Sequence, residues 1–289
     1  MANLLLCYQN RADDSATVTS SLSGGSWETN LPLANLKRRS LAHVARSTDV
    51  ATTSTTMQLD MGANRKIGVV ALVKHTISLN GQVRVRLAED SDLSNVTYDS
   101  GWLSAWPDAY PASALEWEDD IWWFGRFSLE DASEFPISYI LRFAPADARY
   151  IQIDIDDTGN AAGYVQIARL WADEGWQPGV NMSYGAGLMW ESRSQQETAL
   201  GGVSYFDRRE PVRVMRFDLG ILEPHEAYTR ALEIQRRCDT SGEVLVLPDP
   251  DDNAYWFRTA FLGRMRQLSM VEQFAFNLHR TGFEIEEVK

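Results

Sequence analysis

Apolar and polar residues alternate along much of this chain, as in Gln82-Val83-Arg84-Val85-Arg86-Leu87, Tyr139-Ile140-Leu141-Arg142-Phe143 and Tyr150-Ile151-Gln152-Ile153-Asp154-Ile155. A period of two puts every second side chain on one face, which predicts half-buried strands. Turn formers lie where antiparallel strands must reverse: Asn80-Gly81, Pro107-Asp108-Ala109-Tyr110-Pro111 and Asp156-Asp157-Thr158-Gly159-Asn160. A period of 3.6 is almost absent before residue 220, so the pattern predicts a mainly β chain that opens with a β-sandwich.

The patterning changes at Glu174-Gly175-Trp176-Gln177-Pro178-Gly179, after a last strand expected over Tyr164 to Trp171. We place a domain boundary there, giving domains 1–176 and 177–289. Glu191 to Gly202 is polar and ends in Gly-Gly, so it reads as an exposed arm. One helix is expected over about 224–238: Pro224 suits a first turn, Glu226 the positive end of the dipole, and Arg236 and Arg237 the negative end. Ala227, Ala231, Ile234 and Cys238 form its apolar stripe, with Tyr228 and Leu232 expected to widen it. Strands follow over Glu243–Leu247, Tyr255–Leu262, Gln273–Leu278 and Phe283–Val288, which makes the second domain a smaller β-rich unit with one packed helix.

A length of 289 residues favours two domains over one. Forty acidic against twenty-seven basic residues give a formal charge of −13, which disfavours a nucleic acid partner. No apolar run approaches the length of a membrane span, and the start lacks the layout of a secretory signal, so neither membrane nor secretion is expected. Cys7 and Cys238 are too few and too far apart for a disulfide framework or zinc site and are expected to be buried thiols folded in a reducing compartment.

Met57-Gln58-Leu59-Asp60-Met61-Gly62 resembles a strand and turn of the discoidin, or galactose-binding-like, jelly rolls, with Met61 where that family has Leu. Tyr98-Asp99-Ser100-Gly101, Ala148-Arg149-Tyr150-Ile151-Gln152-Ile153, and Asn160 with Gly163-Tyr164-Val165-Gln166-Ile167 resemble its later strands in the same order. The resemblance covers about 110 residues and implies a jelly-roll sandwich in the first domain. The opening Asn3-Leu4-Leu5, Ala16-Thr17-Val18-Thr19 and Leu31-Pro32-Leu33-Ala34-Asn35-Leu36 look like tail proteins of long-tailed bacteriophages that carry this jelly roll. The C-terminal unit, with Val244-Leu245-Val246-Leu247-Pro248-Asp249-Pro250 and a final Phe283-Glu284-Ile285-Glu286 strand, resembles ring-forming distal-tail domains. That likeness implies a ring of identical chains, six favoured over three, in contact with tube, hub or tape-measure proteins of the virion tail and made in the host cytoplasm.

No catalytic constellation emerges. His43, His75, His225 and His279 lack His-x-x-x-His spacing, and neither a Gly-x-Ser-x-Gly elbow nor a phosphate-binding glycine loop occurs. His75 and His225 read as structural or surface histidines. Glu116, Glu118, Asp119 and Asp120 lie beside Trp117, Trp122 and Trp123 as in a glycosidase, but neighbouring carboxylates on one loop do not straddle a glycosidic bond. Asp249-Pro250-Asp251-Asp252-Asn253 offers oxygen ligands for calcium but lacks the spacing of a calcium loop and reads as a tight turn. Discoidin jelly rolls often hold structural calcium, yet no ligand pattern carries over, so no cofactor or metal is expected.

Trp102, Trp106, Tyr110, Trp117, Trp122 and Trp123 crowd one Pro-containing segment. They could form a small second core, a protein interface or a stack for host glycans. Arg208, Arg209 and Arg213, with Arg216, Arg258, Arg264 and Arg266, concentrate positive charge in the second domain, where charge-complementary contacts between subunits would set register. The expectation is therefore a non-enzymatic virion structural protein at a tail tip or baseplate, with a carbohydrate-binding module that attaches to host glycans as the alternative.

Overall fold

The computed structural model describes residues 3–15, 17–106, 138–251 and 255–289. In chain order the strands are β1 (Leu5–Cys7), β2 (Ser21–Ser23), β3 (Ala45–Arg46), β4 (Met57–His75), β5 (Gln82–Ala88), β6 (Val96–Asp99), β7 (Leu103–Ser104), β8 (Ser138–Asp156), β9 (Gln166–Asp173), β10 (Gly187–Glu191), β11 (Gln195–Thr198), β12 (Ser204–Asp207), β13 (Val212–Leu222), β14 (Glu243–Leu247), β15 (Phe261–Met265), β16 (Glu272–Ala275) and β17 (Leu278–Glu287). The fold is mainly β and separates into two compact units: Gln9–Gly175 with Pro250–Arg258, and Met1–Tyr8 with Trp176–Asp249 and Thr259–Lys289. The first eight residues thus belong to the C-terminal unit, whereas the sequence reading put them in the first domain. Their place comes from β1 pairing antiparallel with β14, Leu5 opposite Leu247 and Cys7 opposite Leu245.

The first unit is a sandwich built on the long strands β4 and β8, which pair with each other in two stretches. In one stretch β8 lies between β4 and β5, so Ile153 faces Met57 and Val85 while Ile151 faces Leu59 and Leu87. All six side chains are buried, as their alternation predicts. In the other stretch β4 lies between β8 and β9, with Val70 opposite Leu141 and Ala172, and Leu72 opposite Tyr139 and Leu170. Side chains from both stretches share one core, so the two layers face each other across it.

Between the two stretches the register shifts twice, from Ile67 to Val69 and from Asp60 to Arg65. There Gly62 has φ +70°, and a Cβ on it would stand 2.7 Å from the Thr19 carbonyl oxygen, so only glycine fits. Arg149 pins the bend from β8, donating to both Asp60 carboxylate oxygens at 2.8 and 2.9 Å. That guanidinium holds the Asp60 carboxyl below its usual range.

In the second unit the sheet order is β1-β14-β15-β17-β13-β10, with β16 added on β17. The helix starts at Pro224, passes through a π-helical turn at Ala227–Ala231 and continues as Leu232–Cys238. Ala227, Ala231, Ile234 and Cys238 pack on Met215, Phe217, Phe261, Phe283 and Ile285 of the sheet. Phe217 and Phe283 are register partners and stack with centroids 5.4 Å apart. Tyr228 and Leu232, expected to widen the stripe, are exposed instead, so the buried face is narrow. The strand expected over Tyr255–Leu262 is replaced by a helical turn, Trp256–Thr259, before β15 begins at Phe261.

One buried ion pair ties the chain after β1 to the sandwich. Arg169 on β9 is fully enclosed, and its two Nη groups donate to Asp13 at 2.8 and 2.6 Å. Replacing Asp13 by Ala strands that guanidinium in the interior, where an uncompensated charge costs about 3–5 kcal/mol. Urea denaturation of Asp13→Ala is expected to show a loss of that size, whereas Asp14→Ala, which removes an exposed pair with Lys37, should cost less than about 1 kcal/mol.

Candidate functional site

The site is the uncovered border of the second unit. β13 runs through its sheet with β17 on one side and β10 on the other, and β10 is the terminal strand. The register sets Gly187 opposite Arg216, Met189 opposite Val214 and Glu191 opposite Val212. Edge strands usually end in charge, Pro or a bulge, which discourages pairing with another chain. Here the whole run Val180 to Trp190 carries no charged residue, and Leu188, Met189 and Trp190 are all exposed, Trp190 at 48%.

Three residues after β10 the chain enters a two-stranded hairpin. β11 and β12 pair antiparallel, Gln195 opposite Asp207 and Thr198 opposite Ser204, and neither pairs with any other described strand. Ala199 donates to Val203 and Gly202 to Ala199, both at 2.9 Å, and Gly202 closes the turn at φ +82°. Every residue of both strands is exposed. At the tip Leu200 reaches 112% exposure, and Tyr205 and Phe206 stand at 64% and 60%.

The foot of the hairpin is anchored by charge. Arg193 pairs with Glu286, and Arg266 joins Glu191, Glu284 and Glu286 at 2.7, 3.0 and 3.1 Å. Glu191 first, then Glu284, hold the Arg266 guanidinium above its usual range. Arg209 Nη2 donates to Asp207 at 2.9 Å. The hairpin is thus held at its base, while the residues of its neutral end, Thr198 to Phe206, are all exposed.

The arm expected over Glu191 to Gly202 lies here, as the end of β10 and most of this hairpin. Of the cations expected at subunit contacts, Arg208 and Arg209 are exposed at the hairpin's foot. Arg213 is not available: it is 3% exposed, pairs with buried Glu287 and donates to the Ala260 carbonyl at 3.1 Å. Four successive residues, Val212 to Met215, are buried, so the charge is enclosed within its own sheet.

Trp106 requires a similar correction. Its ring lies in the sandwich core, and its indole N–H donates to the Ile77 carbonyl at 2.9 Å, so it is neither an interface nor a glycan contact. Trp102 is 40% exposed and faces solvent. Tyr110, Trp117, Trp122 and Trp123, with the acidic run Glu116, Glu118, Asp119 and Asp120, lie outside the described residues. The sequence reading missed Leu188, Met189, Trp190, Leu200, Tyr205 and Phe206. Their signal was two uncharged runs in an acidic chain.

Among the described residues, no group of three or more His, Cys, Asp or Glu side chains is placed to hold a metal. Nor is any described helix long and apolar enough to cross a membrane. His225 is exposed, whereas His75 is buried against the edge of the Trp106 ring, centroids 6.1 Å apart. Its Nδ1 accepts from Ile77 N–H at 3.3 Å, which fixes the neutral tautomer with the proton on Nε2. Burial pushes its pKa down to about 3, as expected for a packing residue and not for a proton carrier.

No family model and no curated protein matches the chain. Solved structures similar to it include the family 32 CBM from C. perfringens NanJ in complex with galactose (14% identity, TM-score 0.36, covering 58% of this chain and 98% of that one). Another is a Streptococcus pneumoniae fucose binding module (15% identity, TM-score 0.37, 58% and 96%). A third is a Ruminococcus gnavus GH29 fucosidase in complex with fucose (12%, 0.37, 58%), of which the match spans only 27%. At this level of likeness, what those proteins hold is a property of theirs alone.

The buried histidine gives a pH test of the sandwich. The unfolded chain protonates His75 near pH 6.5 and the folded chain only near 3, so stability is full above 6.5 and falls through that window. The slope approaches about 1.4 kcal/mol per pH unit. Urea midpoints of the sandwich transition should drop between pH 6.5 and 4.5, and His75→Asn, which keeps an acceptor for Ile77 N–H, should flatten that drop.

Proposed function

We propose that this chain is a non-catalytic structural protein that works by assembling with copies of itself, as a subunit of a ring at the tip of a long-tailed phage tail. The observation that carries the assembly reading is the hairpin β11–β12, whose strand residues are all exposed and which pairs with no other described strand. Two strands alone are marginal in water, and a monomer has no use for an exposed apolar tip such as Leu200, Tyr205 and Phe206. A contact with another polypeptide gives such a hairpin both its stability and its role. The tail-tip location and the preference for six copies rest on the sequence resemblance described above, as do contacts with tube, hub or tape-measure proteins.

The charge distribution is consistent with this reading. Copies carrying −13 each repel at a distance, so close contact favours patches without net charge. The hairpin end and the β10 border are two such patches. Arg208 and Arg209 at the hairpin's foot are placed to orient a neighbour by its acidic surface.

A second reading assigns glycan binding to the sandwich unit, with assembly absent or secondary. It is favoured by Trp102, whose exposed indole opens the aromatic-rich segment and offers a face on which a sugar ring can stack. Galactose and fucose, the sugars named with the solved structures above, are the first probes.

Sedimentation velocity of the whole chain is expected to show one discrete oligomer at micromolar concentration. Removal of residues 195–207 should leave folded monomers that fail to join tails, and normal tails from that deletion would refute the role given to the hairpin. On a glycan array the structural reading expects no reproducible hits. Hits that disappear in Trp102→Ala, with thermal stability kept, would instead establish the second reading.

A further inference from the structure

Beside β10 the sheet has an open groove of about 300 Å³, lined by Gly187, Leu188, Met189, Val214, Arg216 and Glu284. Its floor is bare backbone: a Cβ built on Gly187, or on Gly185 just before it, would meet nothing within 4 Å. Glycine within a strand leaves room for another chain to approach closely. The groove adjoins the outer edge of β10, which pairs with no other described strand.

We propose that this groove is the receptor for the hairpin tip of a second copy. Leu200 of one chain enters the groove, and β12 of that chain, with Tyr205 and Phe206, lies along the free edge of β10 of the next. The inference rests on the assembly reading and names the surfaces that meet.

Three observations fit the two surfaces to each other. The edge presents unpaired strand backbone, and the hairpin supplies a ready strand, so pairing adds main-chain hydrogen bonds without new folding. Val180 to Trp190 and Thr198 to Phe206 contain no charged residue, so joining them strands no charge in an interface. The charged residues of the lining lie outside those two runs: Glu284 already pairs with Arg266 at 3.0 Å and Arg216 is its register partner, so Leu188, Met189 and Val214 are left to meet an uncharged knob. Because donor and receptor are different surfaces of one chain, the contact is heterologous. Its repetition closes a ring when the rotation between neighbours divides a full turn.

The test uses the full chain with Met189→Cys and Leu200→Cys together. Cys7 and Cys238 are buried, so the new thiols are the accessible pair. Mild oxidation, or a short bismaleimide, is expected to give a ladder of covalent multimers ending at the size of the native oligomer. In parallel, Leu200→Asp and the groove-filling Gly187→Leu should each weaken assembly at least tenfold in sedimentation, with melting of the dilute monomer unchanged. Oligomers that persist at full affinity in both variants, or thiols that link only within one chain, would overturn the contact while leaving the assembly reading intact. A wild-type chain that stays monomeric throughout would remove both.

Discussion

A β-strand satisfies its backbone only when it has a neighbour on each side, or water in place of one, and this constraint organises the molecule. In the sandwich unit, β4 and β8 each meet this need twice, with different neighbours in their two stretches, because a bend at Gly62 carries β4 from one layer to the other. The strands off the main path of that sheet, β2 and β7, are only two or three residues long, so they leave little edge exposed. In the second unit the β1 border is occupied: Leu6 and Trp176 exchange backbone hydrogen bonds at 2.9 and 2.8 Å. Among the described residues no strand pairs with the outer edge of β10, and Gly187 to Trp190 carry no charge. One incomplete edge beside one surplus hairpin is the pattern expected of a protein completed by a second copy.

Ion pairs divide between two tasks. Arg169, fully enclosed beside the partly exposed Asp13, and Arg213 with Glu287 fix how segments sit within a unit, at a desolvation cost that makes each intolerant of losing its partner. Arg266 with its three carboxylates is partly exposed and holds the foot of the hairpin, which sets the direction in which the apolar tip points. The tip itself is free of charge, so in the proposed assembly the polar groups would aim the contact and the apolar groups would make it.

Much of the architecture was legible because period-two alternation reports burial directly. Val83, Val85 and Leu87 against Ile155, Ile153 and Ile151 could be assigned to one face from the sequence, and the register pairs them. The helix ends at Pro224 and Cys238 were marked by residues with clear terminal preferences. Pairing between distant segments leaves no such local mark, which is why β1 was assigned to the wrong unit. Arg213 and Trp106 were misread for a related reason. A charge or a large ring in a polar neighbourhood reads as surface until Glu287 or the Ile77 carbonyl, far along the chain, is seen to receive it. The free edge was legible only as missing charge, a weak signal without the knowledge that β10 ends the sheet.

Amide hydrogen exchange along β10 measures the central claim most directly. At concentrations where the chain assembles, the amides of Gly187 to Trp190 that point away from β13 should exchange slowly, and dilution to monomer or Leu200→Asp should release them. Equally fast exchange at every concentration, in a chain that is nevertheless oligomeric, would contradict the account, because the open edge would then have no part in holding the copies together.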